Sequence, residues 1–286
     1  MNINEIASLK LLKDNRYWLL GIAGGLEAIH LTLTWGIEDF GHLGMSVLFL
    51  MALGSLISDK RNNLIFESNL SSSLTGVLLI GLVLWGSIAF PEERNFIYVV
   101  PIISALSVSF LASGFKGLKQ YWQELTILFF LGVPIVISSL LFDISPLTAK
   151  FSAFLLHYLG FNVSLNGMNI NLPTGGVEVY YGCSGIETMT YLLGLSVIAL
   201  FMFPISRQKQ PFVPIVGVTL GFIINAIRVA IMAILVASGE KEAFHYWHEG
   251  NGSRMFVVLA VLIFGSFYWL LLQQEEKAQI NNSSQS

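Results

Sequence analysis

Runs of about twenty apolar residues recur along this chain, separated by short polar joints, and each such run is long enough for a helix to cross the hydrocarbon of a bilayer. Backbone groups left unpaired in lipid are too costly to tolerate, so every run is expected to be helical. The runs lie at 17–36, 43–57, 70–90, 96–114, 124–142, 185–204, 211–237 and 255–272, the second being short. Charged residues make up 12% of the chain, against about 25% in a soluble domain. The expected fold is an all-α polytopic membrane protein of about eight transmembrane helices, with residues 1–286 forming a single integral-membrane domain. A net charge of −3 gives nucleic acid no purchase, which leaves the lipid bilayer as the first partner. Residues 1–16 are polar and the apolar run after them leads into further spans, so no cleavable signal peptide is expected. The tail 281–286 is expected to be disordered, and no internal repeat or low-complexity stretch is visible.

Positive charge orients the spans. Lys10, Lys13 and Arg16 precede span one, Lys60 and Arg61 follow span two, and Lys116 and Lys119 follow span four. Arg207 and Lys209 follow span six, and Lys277 follows span eight. With eight spans these all fall on one side, and only Arg94, Lys150, Lys241 and Arg254 fall on the other. The expected arrangement is therefore multi-pass in the cytoplasmic membrane with both termini cytoplasmic. Trp18, Trp35, Trp122 and Trp269 sit near span ends, as interfacial anchors do.

The segments 37–42, 91–95, 143–184 and 238–254 then face outward. Residues 143–184 read as an extracytoplasmic insertion. Within it, 147–160 is expected to form a short amphipathic helix on the membrane surface. Apolar residues then alternate at 161, 163, 165 and at 168, 170, 172 around Asn166-Gly167, a strong local signal for a β-hairpin. Val177 to Tyr181 could add a third strand.

That insertion ends at Cys183, the only cysteine, in Tyr181-Gly-Cys-Ser-Gly185. A lone cysteine forms no internal disulfide; it is either inert packing or a nucleophile. Ser184 as N-cap and Glu187 three residues on fit a capping box, which would set Cys183 at a helix N-terminus. The partial positive charge there favours an anionic sulfur, while the Glu187 carboxylate opposes it. Arg228 lies inside an apolar span with Asn225 three residues earlier on the same face. An arginine there must face the protein interior or a water-filled cavity. Its plain alternative is a structural ion pair, with Glu27 or Glu187. His248 lies just before span eight and could exchange a proton with a thiol, with His245 as competitor. His245 and His248 could also bind zinc, but no metal motif holds them at a rigid spacing, and no metal or cofactor is expected. Glu27 and His30 form an intramembrane polar pair that invites a transporter reading. An interhelical hydrogen bond, or a partner for Arg228, is preferred, because no second polar pair continues a path across the bilayer.

Gly-Cys183-Ser-Gly, Asn225-Ala-Ile-Arg228 and His248-Glu-Gly-Asn-Gly252-Ser-Arg-Met-Phe256 together resemble the exosortase/archaeosortase family, and the context of Cys183 resembles a cyanobacterial-type exosortase. The likeness covers spans five to eight; residues 120–272 would be the catalytic core, and the N-terminal half is matched only by hydrophobicity. The resemblance implies a membrane cysteine protease or transpeptidase whose site residues are Cys183, Arg228 and His248; Asn225, Ser184, Gly185 and Glu187 are expected to support them, although Glu187 has no place in the family's scheme. It implies substrates that are membrane-anchored proteins with a C-terminal sorting signal: a short motif such as Pro-Glu-Pro, a transmembrane helix, then basic residues. Their helix would dock on a glycine-rich face such as Gly21, Gly24 and Gly25, and the hairpin at 161–172 could pair with the extended motif. Two rivals are a small-solute or anion transporter or channel using Arg228 and Glu27, and a non-catalytic factor in envelope polysaccharide export. Both expect Cys183→Ala to be harmless.

Overall fold

The computed structural model describes residues 15–248 and 250–283, most of them helical. The expected charges Lys10 and Lys13, the motif residue Glu249 and the final tail positions 284–286 lie outside the described residues. Two compact units divide the chain, Met1–Val133 and Pro134–Ser286.

In the first unit, α1 (Asn15–Gly36), α2 (Phe40–Lys60), α3 (Leu70–Ala89) and α4 (Arg94–Gly117) follow one another through short joints. The joints carry the helix starts. Asp39 caps α2 by accepting from the His42 N–H at 3.0 Å. Asn69 and Ser72 cap α3 reciprocally, each side chain accepting from the other's backbone N–H. Gly114 adopts φ +65, a left-handed conformation that breaks α4 near its end. A 3₁₀ turn, Leu118–Tyr121, then leads into α5 (Trp122–Leu141), whose residues 134–141 belong to the second unit. Leu26, Val83 and Val100 form a small apolar core among the helices. Leu74, Leu78, Leu82 and Trp85 line one exposed face of α3 at helical spacing. A continuous apolar face of that kind is untenable in water and is what lipid requires.

His30 of the polar pair in α1 makes the kind of interhelical bond expected, but the pair does not stand alone as the sequence suggested. His30 Nε2 lies 2.9 Å from Ser46 Oγ on α2, an interhelical hydrogen bond. Beyond it the polar groups continue: His42 packs edge-on to His30, Tyr98 lies against His42, and the Tyr98 hydroxyl donates to Asp39 at 2.7 Å. Arg94 pairs with Asp39 at 3.6 Å. The pair is thus not isolated, because α2 and α4 supply further polar side chains on the faces that meet α1.

The second unit contains α6 (Ser145–Tyr158), a three-stranded sheet, α7 (Ile186–Met202), α8 (Phe212–Ala237), α9 (Lys241–His248) and α10 (Asn251–Ser283). The sheet is antiparallel in the order β1 (Ser164–Asn166), β2 (Asn169–Leu172), β3 (Gly175–Glu178), so the third strand expected from sequence is present, at a slightly earlier position. The turn differs from expectation. Asn166 pairs with Asn169, which makes Gly167 and Met168 the loop residues. Only Gly167 has positive φ, at +61, the residue placement of a type II′ turn rather than the Asn-Gly type I′. Leu165, Ile170 and Val177 are cross-strand neighbours on one face, and Ile170 is fully buried. That face packs on Ala149, Ala153 and Leu156 of α6 and on Val229, Ala230 and Ala233 of α8. Apart from Leu156, the inward residues on α6 are small or hydroxylic, while Leu147, Phe154 and Tyr158 are exposed.

Among the described residues, five helical segments are long and apolar enough to cross a membrane: Phe40–Lys60, Leu70–Ala89, Arg94–Leu141, Phe212–Ala237 and Gly252–Ala278. About eight are expected from the apolar runs of the sequence. The chain is a multi-pass helical membrane protein with a small sheet. Helix α10 continues to Ser283, so positions 281–283 of the expected disordered tail are helical.

Candidate active site

The approach to Cys183 is built by anchoring its loop at several points. The chain leaves β3, turns through a 3₁₀ segment at Tyr181–Cys183, and enters α7 at Ile186. Tyr181 shares a hydrogen bond of 2.8 Å with Ser138 near the end of α5. Burial pushes its phenol above the ordinary range, an effect that the Ser138 bond opposes, so it remains a protonated donor at neutral pH. The Cys183 carbonyl accepts from Asn225 Nδ2 of α8 at 2.8 Å, and the next carbonyl, of Ser184, accepts from Thr148 Oγ1 of α6 at 2.6 Å. Ser152 ties α6 to α8 through the Ala226 carbonyl at 2.9 Å. Three elements therefore fix the peptide that carries the thiol.

The expected capping box is not formed. The N-cap of α7 is Gly185, with φ +90, and no side chain caps the helix. A Cβ at Gly185 would come within 2.8 Å of Asn225, so both conformation and space require glycine there. Ser184 consequently sits one position too early and is fully buried, its hydroxyl 3.4 Å from the Ile186 N–H. Glu187 does not reach back; it accepts from the Tyr191 hydroxyl at 2.9 Å, one turn along α7.

Cys183 Sγ and His248 Nε2 are 3.5 Å apart. The imidazole is held face to face with Phe244, rings 4.9 Å apart and 13° from parallel, and edge-on to Tyr180 at 6.4 Å. Phe244 and His248 lie one turn apart on α9, which is why they stack. The competitor His245 is exposed and has its ring against Phe244 at 5.8 Å. Arg228 donates from Nη2 to the His248 carbonyl at 2.9 Å. Its Nε is buried and, among the described residues, has no hydrogen-bond partner. Glu187, in the same unit, does not pair with it among the described residues.

Cys183, Arg228 and His248 line one cavity of about 250 Å³. Strand β3 and the residues after it form one wall, and Val229, Met232 and Val236 of α8 form another. Of the expected supporting residues, Asn225 and Gly185 shape the Cys183 loop directly, Ser184 does so through its backbone, and Glu187 faces its own helix. Thr148 and Tyr181 were not anticipated, because their contacts join segments distant in sequence. Among the described residues no group of three or more histidine, cysteine, aspartate or glutamate side chains is placed to hold a metal ion.

The fold and this cavity define a multi-pass membrane protein presenting a thiol against an imidazole. The family model described as "Transmembrane exosortase" matches residues 35–265, and the chain belongs to that family. No curated protein and no solved structure matches it.

Proposed function

We propose that this chain is a membrane-embedded cysteine peptidase or transpeptidase that processes proteins bearing a C-terminal, Pro-Glu-Pro-like sorting signal at the outer face of the cytoplasmic membrane. One observation carries the reading: the 3.5 Å approach of Cys183 Sγ to His248 Nε2 inside a cavity that Arg228 also lines. A nucleophile and a base within reach, with the base ring oriented by a third group, is the arrangement nucleophilic catalysis needs.

The steps follow from the groups present. His248 takes the thiol proton, and the sulfur attacks a backbone carbonyl of the substrate. The carbonyl's electron pair moves to oxygen, and the guanidinium of Arg228, through its unpartnered Nε–H, stabilises that oxyanion. A preorganised donor of this kind contributes about 3–4 kcal/mol to lowering the barrier. The tetrahedral species collapses, the C–N bond breaks, and His248 returns its proton to the departing amine. A thioester now joins the substrate's N-terminal portion to Cys183. Water resolves it in a peptidase; an amine or a lipid headgroup resolves it in a transpeptidase.

The topology belongs to the same reading. Segment Arg94–Leu141, at 48 residues, is too long for one crossing, and Gly114 with the 3₁₀ turn divides it into two. Adding α1 and the shorter apolar helix α7 to the remaining long segments gives eight spans with both termini cytoplasmic. Residues 143–184 are then an extracytoplasmic insertion and 120–272 the catalytic core of one membrane domain. The test co-expresses a membrane-anchored reporter carrying a Pro-Glu-Pro tail with wild type, Cys183→Ala, Arg228→Ala and His248→Ala. Processing by wild type alone supports the reading; processing retained in Cys183→Ala refutes it and favours a transporter or assembly factor.

A further inference from the structure

We infer that β3 is the docking strand for the substrate: an extended peptide segment pairs with its free edge and is delivered along it to Cys183. The inference rests on the peptidase reading above and names the part of the cavity that would hold the substrate.

The ladder fixes which backbone groups are available. Val179 N–H donates to the Met168 carbonyl at 3.0 Å, one step beyond the Asn169–Glu178 pair. Hydrogen-bonded and non-bonded pairs alternate along an antiparallel ladder. Gly175, Val177 and Val179 therefore bond to β2, while the N–H and C=O groups of Gly176 and Glu178 point away from it. Among the described residues no backbone group pairs with them on that side. Both residues line the cavity that holds the thiol. Two donors and two acceptors at strand spacing match an extended peptide backbone; a folded helix, with its amides satisfied internally, offers no such row.

The path also leads to the sulfur. β3 begins tight against the end of α8, where a Cβ on Gly175 would stand 3.1 Å from the Val236 carbonyl and Thr174 Oγ1 donates to the Ala237 carbonyl. Eight residues after Gly175, the Cys183 carbonyl is held by Asn225. Val236 and Asn225 are about 16 Å apart along the axis of α8. The chain from β3 to Cys183 thus descends along α8, and Val229, Met232 and Val236 present an apolar wall at helical spacing beside it. A substrate whose extracytoplasmic part leads into a membrane anchor descends the same way. It would lie parallel to β3, with alternate side chains against the apolar wall.

The test has two arms, both using full-length protein in membranes and a single-span reporter ending its extracytoplasmic part in Pro-Glu-Pro. In the first, Glu178→Pro removes one outward N–H without touching the β2 ladder, a position where an edge strand accepts proline. Conversion of the reporter is expected to fall roughly fivefold, with unchanged labelling of Cys183 by iodoacetamide. Conversion equal to wild type overturns the inference. In the second, Cys183→Ala carries Glu178→Cys, and single cysteines are scanned through the reporter. Cross-links recurring at every second residue are expected, and moving the engineered cysteine to Tyr180→Cys should shift them two residues towards the reporter's anchor. Cross-links without alternation, or shifting the other way, overturn it. The second arm reads docking without cleavage, so a reporter that cross-links in this pattern yet is untouched by wild type counts against the peptidase reading alone.

Discussion

At the scale of single residues, the site is held by hydrogen bonds to carbonyls rather than by side chains gripping the thiol. Asn225 donates to the Cys183 carbonyl and Thr148 to the Ser184 carbonyl, both in buried surroundings. Removing a donor strands a buried acceptor, at a cost of about 1–3 kcal/mol. Asn225→Asp, which puts an acceptor opposite an acceptor, is expected to slow reporter processing more than tenfold while the protein still reaches the membrane. Thr148→Val is expected to lower Tm in detergent and to slow processing, with Thr148→Ser restoring both. Arg228→Lys keeps the charge but removes the planar fork and its Nε–H, and a fall in processing rate of about 10²–10³-fold is expected. Cys183, Arg228, His248 and Asn225 were legible in sequence because each is chemically out of place in an apolar chain. Thr148 was not, since a threonine on a short helix gives no local sign of the distant carbonyl it meets. The capping box misled because the Ser-x-x-Glu pattern is blind to the positive φ of Gly185 between its two members.

Between elements, close backbone approach decides the geometry. Gly217 and Gly221, one turn apart on α8, face α7: a Cβ on Gly217 would lie 2.9 Å from the Leu192 carbonyl, and one on Gly221 would lie 2.9 Å from Met189 Cα. Small residues four apart are the usual means of bringing two membrane helices together. Asn225 stands one turn further along, so the same contact sets its reach to the Cys183 loop. Gly221→Leu is expected to push α7 from α8, costing about 1–3 kcal/mol; a lowered Tm and weaker processing would show it, and an unchanged Tm would count against it. Gly21, Gly24 and Gly25, expected from sequence to offer a docking face to a substrate's helix, have nothing within 4 Å of an added Cβ. Spacing alone does not say which glycines meet a neighbour. The hairpin was legible from its alternating apolar residues and its glycine. Its turn was misplaced by one residue, because two-residue loops with one or two positive φ values share the same composition.

For the whole molecule, the membrane character was legible from apolar run lengths, since lipid restricts the backbone so strongly. The number of crossings was less so: helix joints as short as Ile37–Asp39 blur where one run ends. Sidedness has a direct probe in the single cysteine. A small membrane-impermeant thiol reagent added to intact cells is expected to label Cys183, and labelling only after permeabilisation would reverse the proposed topology. The most direct measurement of the proposed reaction is the bond it would form. Membranes from cells co-expressing the Pro-Glu-Pro reporter should contain an adduct between the reporter's N-terminal portion and Cys183, released by hydroxylamine as a thioester and missing in Cys183→Ala. Reporter processing that continues undiminished in Cys183→Ala, with no adduct in wild type, would contradict it.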